Sequence, residues 1–386
     1  MIDTIVLILS EGKYIIREPD KFTPSARWVL DDASKFGGRG YITSKQNPTK
    51  EELRMGIYRP RLTITNRYNQ LTKHCEASLR IELSLSKLLF GNNFDELQDD
   101  EFPIVIDLLA KKLIEMGVVV WSEALINAPV SAIHYSKNIL LTDGTTPHYY
   151  IGKIKEANIN LSVDVNQTDF RNDGTSFKWH CNSYEVAFYD KRKDLEKAKV
   201  SGKRAIEKDS AIQLSIFDEL DTKKPFEVLR IEVRLNKRAK IKQLMKKIGM
   251  NDRLTFRDLF SAKRAQAILV YFLDEMEKKR PFYAKYQSRS TKDFLADLII
   301  HNPSLSISRI IQLFGLKQAL NQVTTRELRL MFGRFHERSW YRLMSEAKNV
   351  TLPESKDTFD LIREHLTAFV PLKLASSIEL MLNKDK

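Results

Sequence analysis

The stretch that decides the fold is Ser183-Tyr-Glu-Val-Ala-Phe-Tyr-Asp-Lys191. Its aromatic and β-branched residues, with no Gly or Pro among them, predict a β-strand. Side chains alternate between the two faces of a strand. One face is then wholly apolar, with Tyr184, Val186 and Phe188. The other face carries a carboxylate, a small residue and a phenol, in the order Glu185, Ala187 and Tyr189.

Two further stretches repeat this design. Leu79-Arg-Ile-Glu-Leu-Ser-Leu-Ser-Lys87 and Leu229-Arg-Ile-Glu-Val-Arg-Leu-Asn-Lys237 match at Leu, Arg, Ile, Glu, Leu and Lys. In each of them, apolar residues fill one face and Arg and Glu occupy the other. We interpret the two stretches as equivalent strands of two related halves, with Glu82 and Glu232 on the polar face of the core.

Strand patterns give way to helical spacing along the chain, which has 386 residues and therefore favours two domains. The predicted class is α+β. An antiparallel-sheet core built from two related halves spans residues 1–240, and an all-helical domain spans residues 241–386. Within the core, the polar residues 197–225 are predicted to form an excursion between strands. Helices are predicted at about 256–279, 290–301, 306–315, 324–347 and 357–382.

Two of these helical segments, residues 306–315 and 324–332, are spaced as in a helix-turn-helix. Two packed helices of an ordinary bundle produce the same pattern and are the more common arrangement. Both interpretations remain open at the level of sequence.

Charge and cysteine content limit the partners and the compartment. Lys and Arg number 63 against 50 Asp and Glu, a net charge of +13, which favours a polyanion, nucleic acid first and an anionic membrane second. The two cysteines cannot build a disulfide framework and predict a reducing compartment, the cytoplasm. The apolar start of the chain is short and has no basic leader, so it predicts a strand and not a signal peptide. No apolar run approaches the ~20 residues that span a bilayer.

The polar face suggests phosphoryl chemistry. A tyrosine phenol, with an ordinary pKa of about 10, must lose its proton to attack phosphorus, and a carboxylate-bound Mg²⁺ or Mn²⁺ neutralises the phosphate. The predicted ligands are Glu82, Glu232 and His134, provided that their strands are neighbours, with Glu185 as a further candidate. Glu185 lies roughly 13 Å from Tyr189 along the strand, too far for direct contact. Lys191, one pleat beyond Tyr189, could stabilise a phenolate or bind phosphate.

Each of these residues also has a purely structural interpretation. A Glu in an Arg-x-Glu strand commonly forms an ion pair with a strand arginine, here Arg80, Arg230 or Arg234. Tyr189 could be a half-buried strand aromatic, and His134 an ordinary hydrogen-bonded histidine.

The order of these strands resembles that of the filamentous-phage gene II/X family of replication initiators, which is related to the rolling-circle initiators of small plasmids. The resemblance covers roughly residues 1–240. It rests on five segments: Met1-Ile-Asp-Thr-Ile-Val-Leu7, Arg80-Ile-Glu-Leu-Ser-Leu-Ser-Lys-Leu-Leu-Phe-Gly-Asn-Asn93, Ile133-His-Tyr-Ser-Lys-Asn138, Glu185-Val-Ala-Phe-Tyr-Asp-Lys191 and Leu229-Arg-Ile-Glu-Val-Arg-Leu235.

The resemblance implies an enzyme that nicks one strand of a duplex origin in a bacterial host cell. Its tyrosine attacks the phosphate, keeps the 5′ end as a phosphotyrosine and frees a 3′-OH, and the reverse reaction re-joins the displaced strand. Tyr189 occupies the position of the nucleophile, and Glu232 that of the metal-site glutamate. His134 lies in a strand where relatives often carry an aspartate, and Glu82 falls in a family motif.

One departure concerns metal binding. Many rolling-circle enzymes hold their metal with a His-hydrophobic-His pair, which this sequence lacks, so we expect a carboxylate-rich site. Tyr184 and Tyr135 fall on the opposite face from Tyr189 and His134 respectively, so a single principal nucleophile is expected.

The expected partners are the double-stranded origin and single-stranded DNA, without a membrane. Phosphate contacts are predicted for Arg80, Arg230, Arg234, Lys237, Arg238 and Lys240, with an affinity that falls with salt. The helical domain would either grip duplex DNA or recruit a host helicase. The alternatives are a non-cleaving origin-binding regulator of replication and a mobilisation relaxase. The sequence does not specify an oligomeric state.

Overall fold

The computed structural model describes residues 1–31, 40–49, 51–52, 55, 57–141, 145–156, 167–171, 175–194, 227–278, 290–323, 325–353 and 358–373. The predicted excursion at 197–225 and the last part of the predicted helix 357–382 lie outside these residues. The strands are β1 (Ile2–Ser10), β2 (Tyr14–Ile16), β3 (Tyr41–Gln46), β4 (Arg61–Asn69), β5 (His74–Ser84), β6 (Val118–Val120), β7 (Val130–Leu140), β8 (Gln167–Arg171), β9 (Ser176–His180), β10 (Tyr184–Asp190) and β11 (Val228–Leu235).

Nine of these strands form one antiparallel sheet in the order β3-β4-β5-β1-β7-β11-β10-β9-β8. Strands β2 and β6 pair separately. The predicted α+β class with an antiparallel sheet is therefore confirmed. The two matching stretches of the sequence hold equivalent places, because β5 and β11 flank the adjacent strands β1 and β7 on either side. Strand β5 lies between β4 and β1, and β11 lies between β7 and β10.

The helices, within the same residues, are α1 (Ala26–Asp31), α2 (Leu85–Phe90), α3 (Phe102–Glu115), α4 (Ser122–Ile126), α5 (Pro147–Glu156), α6 (Arg238–Lys247), α7 (Phe256–Leu259), α8 (Ala262–Glu277), α9 (Thr291–His301), α10 (Ile307–Gln322), α11 (Thr325–Met331), α12 (Glu337–Lys348) and α13 (Thr358–Ala368). None of the helices described is long and apolar enough to cross a membrane.

Alternation in the strands decides which face of the sheet the helices cover. In β11, Leu229, Ile231, Val233 and Leu235 are buried in the main hydrophobic cluster, together with residues of α6, α8 and α13. These three helices all contact β7, and α6 and α8 also contact β11. The intervening residues of β11 point to the opposite side of the sheet, which we call the polar face. The core therefore lies between the sheet and these helices, and the candidate site lies behind it.

The hydrophobic residues of the described chain form two clusters. The main cluster extends past the sheet through Met276 and includes Phe359, Ile362 and Leu366 of α13. A second cluster is built by α9 to α12, with Phe294, Leu313 and other residues. Helices α6 to α8 pack on the sheet and belong to the main cluster, so the second cluster begins only after Met276 in the chain. The predicted domain division at residue 240 stays a prediction.

Several predicted helices are divided differently by their capping residues. The predicted helix 256–279 is two helices, because the Ser261 hydroxyl accepts a hydrogen bond from the Arg264 N–H and starts α8 anew. The predicted helix 324–347 is likewise interrupted, and α12 begins after its capping residue His336. Helix α10 continues to Gln322, through residues 316–322, which the helix-turn-helix interpretation assigned to the turn.

Candidate active site

The polar face carries the predicted nucleophile and the predicted metal-site glutamate side by side. Antiparallel pairing places Ala187 of β10 opposite Glu232 of β11, and Tyr189 opposite Arg230. Because Ala187 is small, the phenol of Tyr189 reaches across it and donates a 2.8 Å hydrogen bond to Glu232 Oε2. The alternation predicted for β10 is confirmed by Tyr184, which packs on the helical side against Phe272 with ring centroids 5.4 Å apart.

Arg234 joins two carboxylates of this face. Its guanidinium Nε donates to Glu232 Oε1 at 2.8 Å, and its Nη1 lies 3.0 Å from Glu185 Oε1. Glu185 is also 3.4 Å from Lys178 Nζ, and no contact with Tyr189 is described. In the described structure Glu185 is therefore an ion-pair partner of Arg234 and Lys178.

Asp3 forms a cluster with His134 and Glu232 that was not predicted from the sequence. The pairing of β1 with β7 shifts between Ile2 and Thr4, so that β1 has one extra residue there, Asp3. Such a bulge redirects a side chain within a continuous strand. Asp3, His134 and Glu232 each offer one ligand atom, and these atoms all lie within 4.8 Å of one another.

Arg230 lies buried behind this cluster. Its Nη2 donates at 2.8 Å to Asp3 Oδ1 and at 2.8 Å to Ser136 Oγ, and its Nη1 donates at 2.9 Å to the Asn93 carbonyl. Its Nε has no hydrogen-bond partner in the described structure and is 4.0 Å from Glu232 Oε2. The predicted phosphate-contacting arginine is therefore an internal group, with one donor left over beside Glu232.

The arginines keep both carboxylates of the cluster ionised. Burial raises the pKa of Glu232, but Arg234 and Arg230 more than offset it, so that the pKa lies well below its usual range. Burial likewise raises the pKa of Asp3, and Arg230 brings it below its ordinary value. Both groups are thus anionic acceptors at neutral pH.

The imidazole and the phenol are held neutral. Burial lowers the pKa of His134, and nearby Glu232 offsets this only in part, so that the ring is uncharged at pH 7. Its Nδ1 lies 3.7 Å from Glu232 Oε1. Burial raises the pKa of Tyr189 well above its ordinary value although Arg230 acts in the opposite direction. In the resting protein the phenol is therefore a hydrogen-bond donor and not a phenolate.

Lys191 stands at the end of the strand that carries the tyrosine. Strand β10 ends at Asp190, and a helical turn follows. The buried Lys191 side chain places its ammonium 6.0 Å from the centre of the Tyr189 ring, and its charge lowers the pKa of Asp3. It therefore adds positive charge to the site, while its role toward a phenolate or a phosphate stays a prediction.

Glu82 is not part of the cluster. Its strand, β5, is separated from β11 by β1 and β7, so the two glutamates are not on neighbouring strands. Its carboxylate instead lies 2.7 Å from Arg80 Nη1. The condition set for Glu82 as a ligand beside Glu232 is not met, whereas His134 does lie beside Glu232.

Of the basic residues after β11, Lys240 lies on the helical side of the sheet. Lys237 and Arg238 are exposed, and Lys240 Nζ is 4.8 Å from the centre of the Tyr184 ring, which faces the helices. The structure therefore does not bring Lys240 together with Tyr189.

A loop closes one end of the site. The 92–96 loop supplies the Asn93 carbonyl to Arg230 and the Phe94 carbonyl to the Asn138 side chain, at 2.9 and 2.7 Å. It is anchored by Glu96, which forms a buried ion pair with Lys137 and accepts 2.6 and 2.9 Å hydrogen bonds from the N–H groups of Asn138 and Leu372. Residue 372 thus takes part in holding this loop against the site.

The donor set of the cluster suits a hard divalent cation. Two ionised carboxylates and a neutral imidazole are ligands that Mg²⁺ and Mn²⁺ accept, the imidazole suiting Mn²⁺ better. The residues present therefore fit the ion that the resemblance implies, with Asp3 in place of Glu82 or Glu185.

Asp3 is absent from the ligand set predicted from sequence, because its segment was interpreted only as the apolar first strand. The available signal was a lone carboxylate in a segment of Ile, Val and Leu.

No protein-family model, curated protein or solved structure matches this chain.

Proposed function

We propose that this protein initiates rolling-circle DNA replication by nicking one strand at an origin and later re-joining the displaced strand. The observation that carries the proposal is the Tyr189 phenol hydrogen-bonded to Glu232, inside a cluster of two carboxylates and an imidazole. The resemblance to the gene II/X family supports DNA as the substrate, as does the net charge of +13.

The arrangement around Tyr189 suits nucleophilic attack on a phosphodiester. Glu232 orients the phenol and is within reach to accept its proton. Because the pKa of Glu232 is lowered and that of Tyr189 is raised, this transfer is unfavourable until the phenolate is stabilised. Arg230, whose charge lowers the pKa of Tyr189, and Lys191 supply that stabilisation from the protein side.

The unused Nε–H of Arg230 supports a role in binding the substrate anion. A buried donor without an acceptor is costly, and a phosphate oxygen placed beside Glu232 would satisfy it. Asp3, His134 and Glu232 are the residues that would hold Mg²⁺ or Mn²⁺, which when bound neutralises phosphate charge and orients the scissile group.

The proposed bond changes balance without a further reactant. The bond from Tyr189 Oη to phosphorus forms, the bond from phosphorus to the 3′ oxygen breaks, and the phenolic proton ends on the released 3′-OH. The product is a 5′-phosphotyrosine, which retains the energy of the phosphodiester. Attack by a 3′-OH on this ester reverses each change and joins two DNA ends.

The test compares wild type with Tyr189→Phe on a supercoiled plasmid that carries the replicon's own origin, with Mg²⁺ or Mn²⁺. Wild type is expected to give nicked circles with protein attached at the 5′ end, seen on a denaturing gel before and after protease. Tyr189→Phe is expected to give neither product.

The matched control is Tyr184→Phe, which removes a phenol from the same strand but on the helical side of the sheet. It should nick like wild type. Normal nicking by Tyr189→Phe would contradict the assignment of the nucleophile. Retardation of origin DNA by wild type, with no nick under either metal, would replace the proposal with the non-cleaving regulator.

A further inference from the structure

The polar face continues beyond the candidate active site onto the outer strands β3, β4 and β5. Leu62, Ile64, Leu79 and Ile81 of this region are buried in the main cluster, so the alternate residues point the other way. Those residues include four basic side chains and an exposed tyrosine: Lys45, Arg61, Arg67, Arg80 and Tyr41. This part of the face is therefore accessible, in contrast to the buried Arg230 and Glu232.

Equivalent strands make the two parts of the face directly comparable. Arg230 has Tyr189 opposite it, whereas the equivalent Arg80 has Thr63. Glu232 has Ala187 opposite it, whereas the equivalent Glu82 has Arg61. The outer part thus lacks the phenol and has a long cation where the active site has a small residue.

Basic side chains outnumber carboxylates on this outer part. Its two carboxylates are Glu82, paired with Arg80 at 2.7 Å, and Glu76, which lies opposite Arg67 and accepts a 2.8 Å hydrogen bond from Asn69. Lys45, Arg61 and Arg67 form no ion pair with any described residue. Four cations against two carboxylates leave this surface with a surplus of two positive charges, which fits a polyanion.

An aromatic ring accompanies these charges. The guanidinium of Arg67 lies 5.7 Å from the centre of the Tyr41 ring, directly across the β3–β4 pair. Tyr41 is 41% exposed, so the ring can accept a further stacking partner. Aromatic rings beside basic side chains on a sheet are the means by which proteins bind unpaired bases, since the bases of a duplex are stacked on each other.

The outer part is continuous with the candidate active site. Glu82, Val6 and Ala132 lie side by side on β5, β1 and β7, and Ala132 is two residues from His134 on the same face. From the strand spacing of ~4.8 Å and a rise of ~3.3 Å per residue, Arg61 lies roughly 16 Å from His134. A single strand of a few nucleotides can reach from one to the other.

We propose that Tyr41, Lys45, Arg61 and Arg67 form a binding surface for single-stranded DNA that leads to Tyr189. We call it the outer-strand surface. It rests on the proposed function for its role, but the binding itself is measurable without any cleavage.

The test measures binding of a fluorescein-labelled oligothymidylate by fluorescence anisotropy over a range of salt concentrations. All proteins carry Tyr189→Phe, so cleavage does not interfere. Arg61→Gln/Arg67→Gln should lower the slope of log affinity against log salt by about 1.4, since each phosphate contact to a single strand contributes about 0.7. Tyr41→Ala should weaken binding by roughly 5- to 100-fold.

The matched control is Lys13→Gln/Lys111→Gln, which removes two exposed charges outside the outer-strand surface and should reduce the slope much less. An unchanged slope for Arg61→Gln/Arg67→Gln, or a loss equal to that of the control, would overturn the proposal. Duplex DNA of the same length that binds as tightly and is weakened equally would overturn the assignment to single strands. Failure of wild type to form a phosphotyrosine would refute the proposed function and leave these binding results to decide the surface.

Discussion

Glu96→Gln probes the buried ion pair that anchors the 92–96 loop. The side chains of Glu96 and Lys137 are only 5% and 4% exposed. Besides its ion pair with Lys137, the Glu96 carboxylate accepts hydrogen bonds from the N–H groups of Asn138 and Leu372. The substitution keeps the shape of the side chain but leaves the Lys137 ammonium buried without its counter-ion.

The expected cost follows from that isolated charge. Breaking a buried ion pair by removing one partner destabilises a protein by about 3–5 kcal/mol, so Glu96→Gln should lower the free energy of unfolding by at least ~3 kcal/mol at pH 7. Removing the cation as well, in Glu96→Gln/Lys137→Met, should restore part of this loss. Lys137→Met by itself should cost less than Glu96→Gln, because the carboxylate keeps two backbone donors.

The pH dependence has a defined sign. Burial raises the pKa of Glu96, but nearby positive charges, Lys137 among them, bring the pKa below its ordinary value. The stabilisation is therefore complete above the unfolded-state pKa of about 4.3 and is lost as the pH falls through the lower folded-state pKa. Wild type and Glu96→Gln should consequently converge in stability as the pH drops below about 4.

Urea unfolding followed by tryptophan fluorescence measures these differences in free energy, since Trp179 is buried in the main hydrophobic cluster. A free energy of unfolding for Glu96→Gln within 1 kcal/mol of wild type at pH 7 would refute the reasoning. So would a double variant less stable than Glu96→Gln.

Two further predictions concern the candidate metal ligands and a glycine. Electron paramagnetic resonance during a Mn²⁺ titration should show one ion bound to wild type. Asp3→Asn and Glu232→Gln should each abolish this binding, whereas Glu82→Gln should retain it. Loss of binding in Glu82→Gln, with binding kept in Asp3→Asn, would reinstate the ligand set predicted from sequence. Gly117→Ala should destabilise the folded protein by more than roughly 1 kcal/mol, because the residue has φ +79° and an added Cβ would lie 2.5 Å from Glu18 Cβ. Thermal unfolding measures this effect, and an unchanged melting temperature would contradict the prediction.

Alternation along single strands was sufficient to predict which side chains share a face. It placed Tyr189 with Glu185 and separated both from Tyr184, as the structure shows. It also placed Glu232 on the polar face of β11. These predictions depend only on the two-residue period of a strand, which is a local property.

Strand order could not be predicted in the same way. Glu82 and Glu232 occupy matching motifs, yet β1 and β7 lie between their strands. That order is decided by pairing between distant parts of the chain, which no single segment encodes. The bulge that directs Asp3 toward His134 and Glu232 is likewise a property of the pair of strands and not of β1 alone.

The helical region was predicted less accurately at its boundaries than in its existence. Apolar spacing continues across the interruption at Phe260 and Ser261, so periodicity alone predicts one helix there. The division comes from the Ser261 cap, a single hydrogen bond that the spacing of apolar residues does not reflect.

The involvement of residue 372 in the 92–96 loop has a consequence for the order of events on the ribosome. The last strand of the site ends at Leu235, but the Leu372 N–H that bonds Glu96 emerges 137 residues later (372 − 235). At about 5–20 residues per second, synthesis of that interval takes roughly 7–27 s. During this time a nascent chain can already contain the sheet while its 92–96 loop still lacks this hydrogen bond, so the loop should be fully anchored only once translation has passed Leu372.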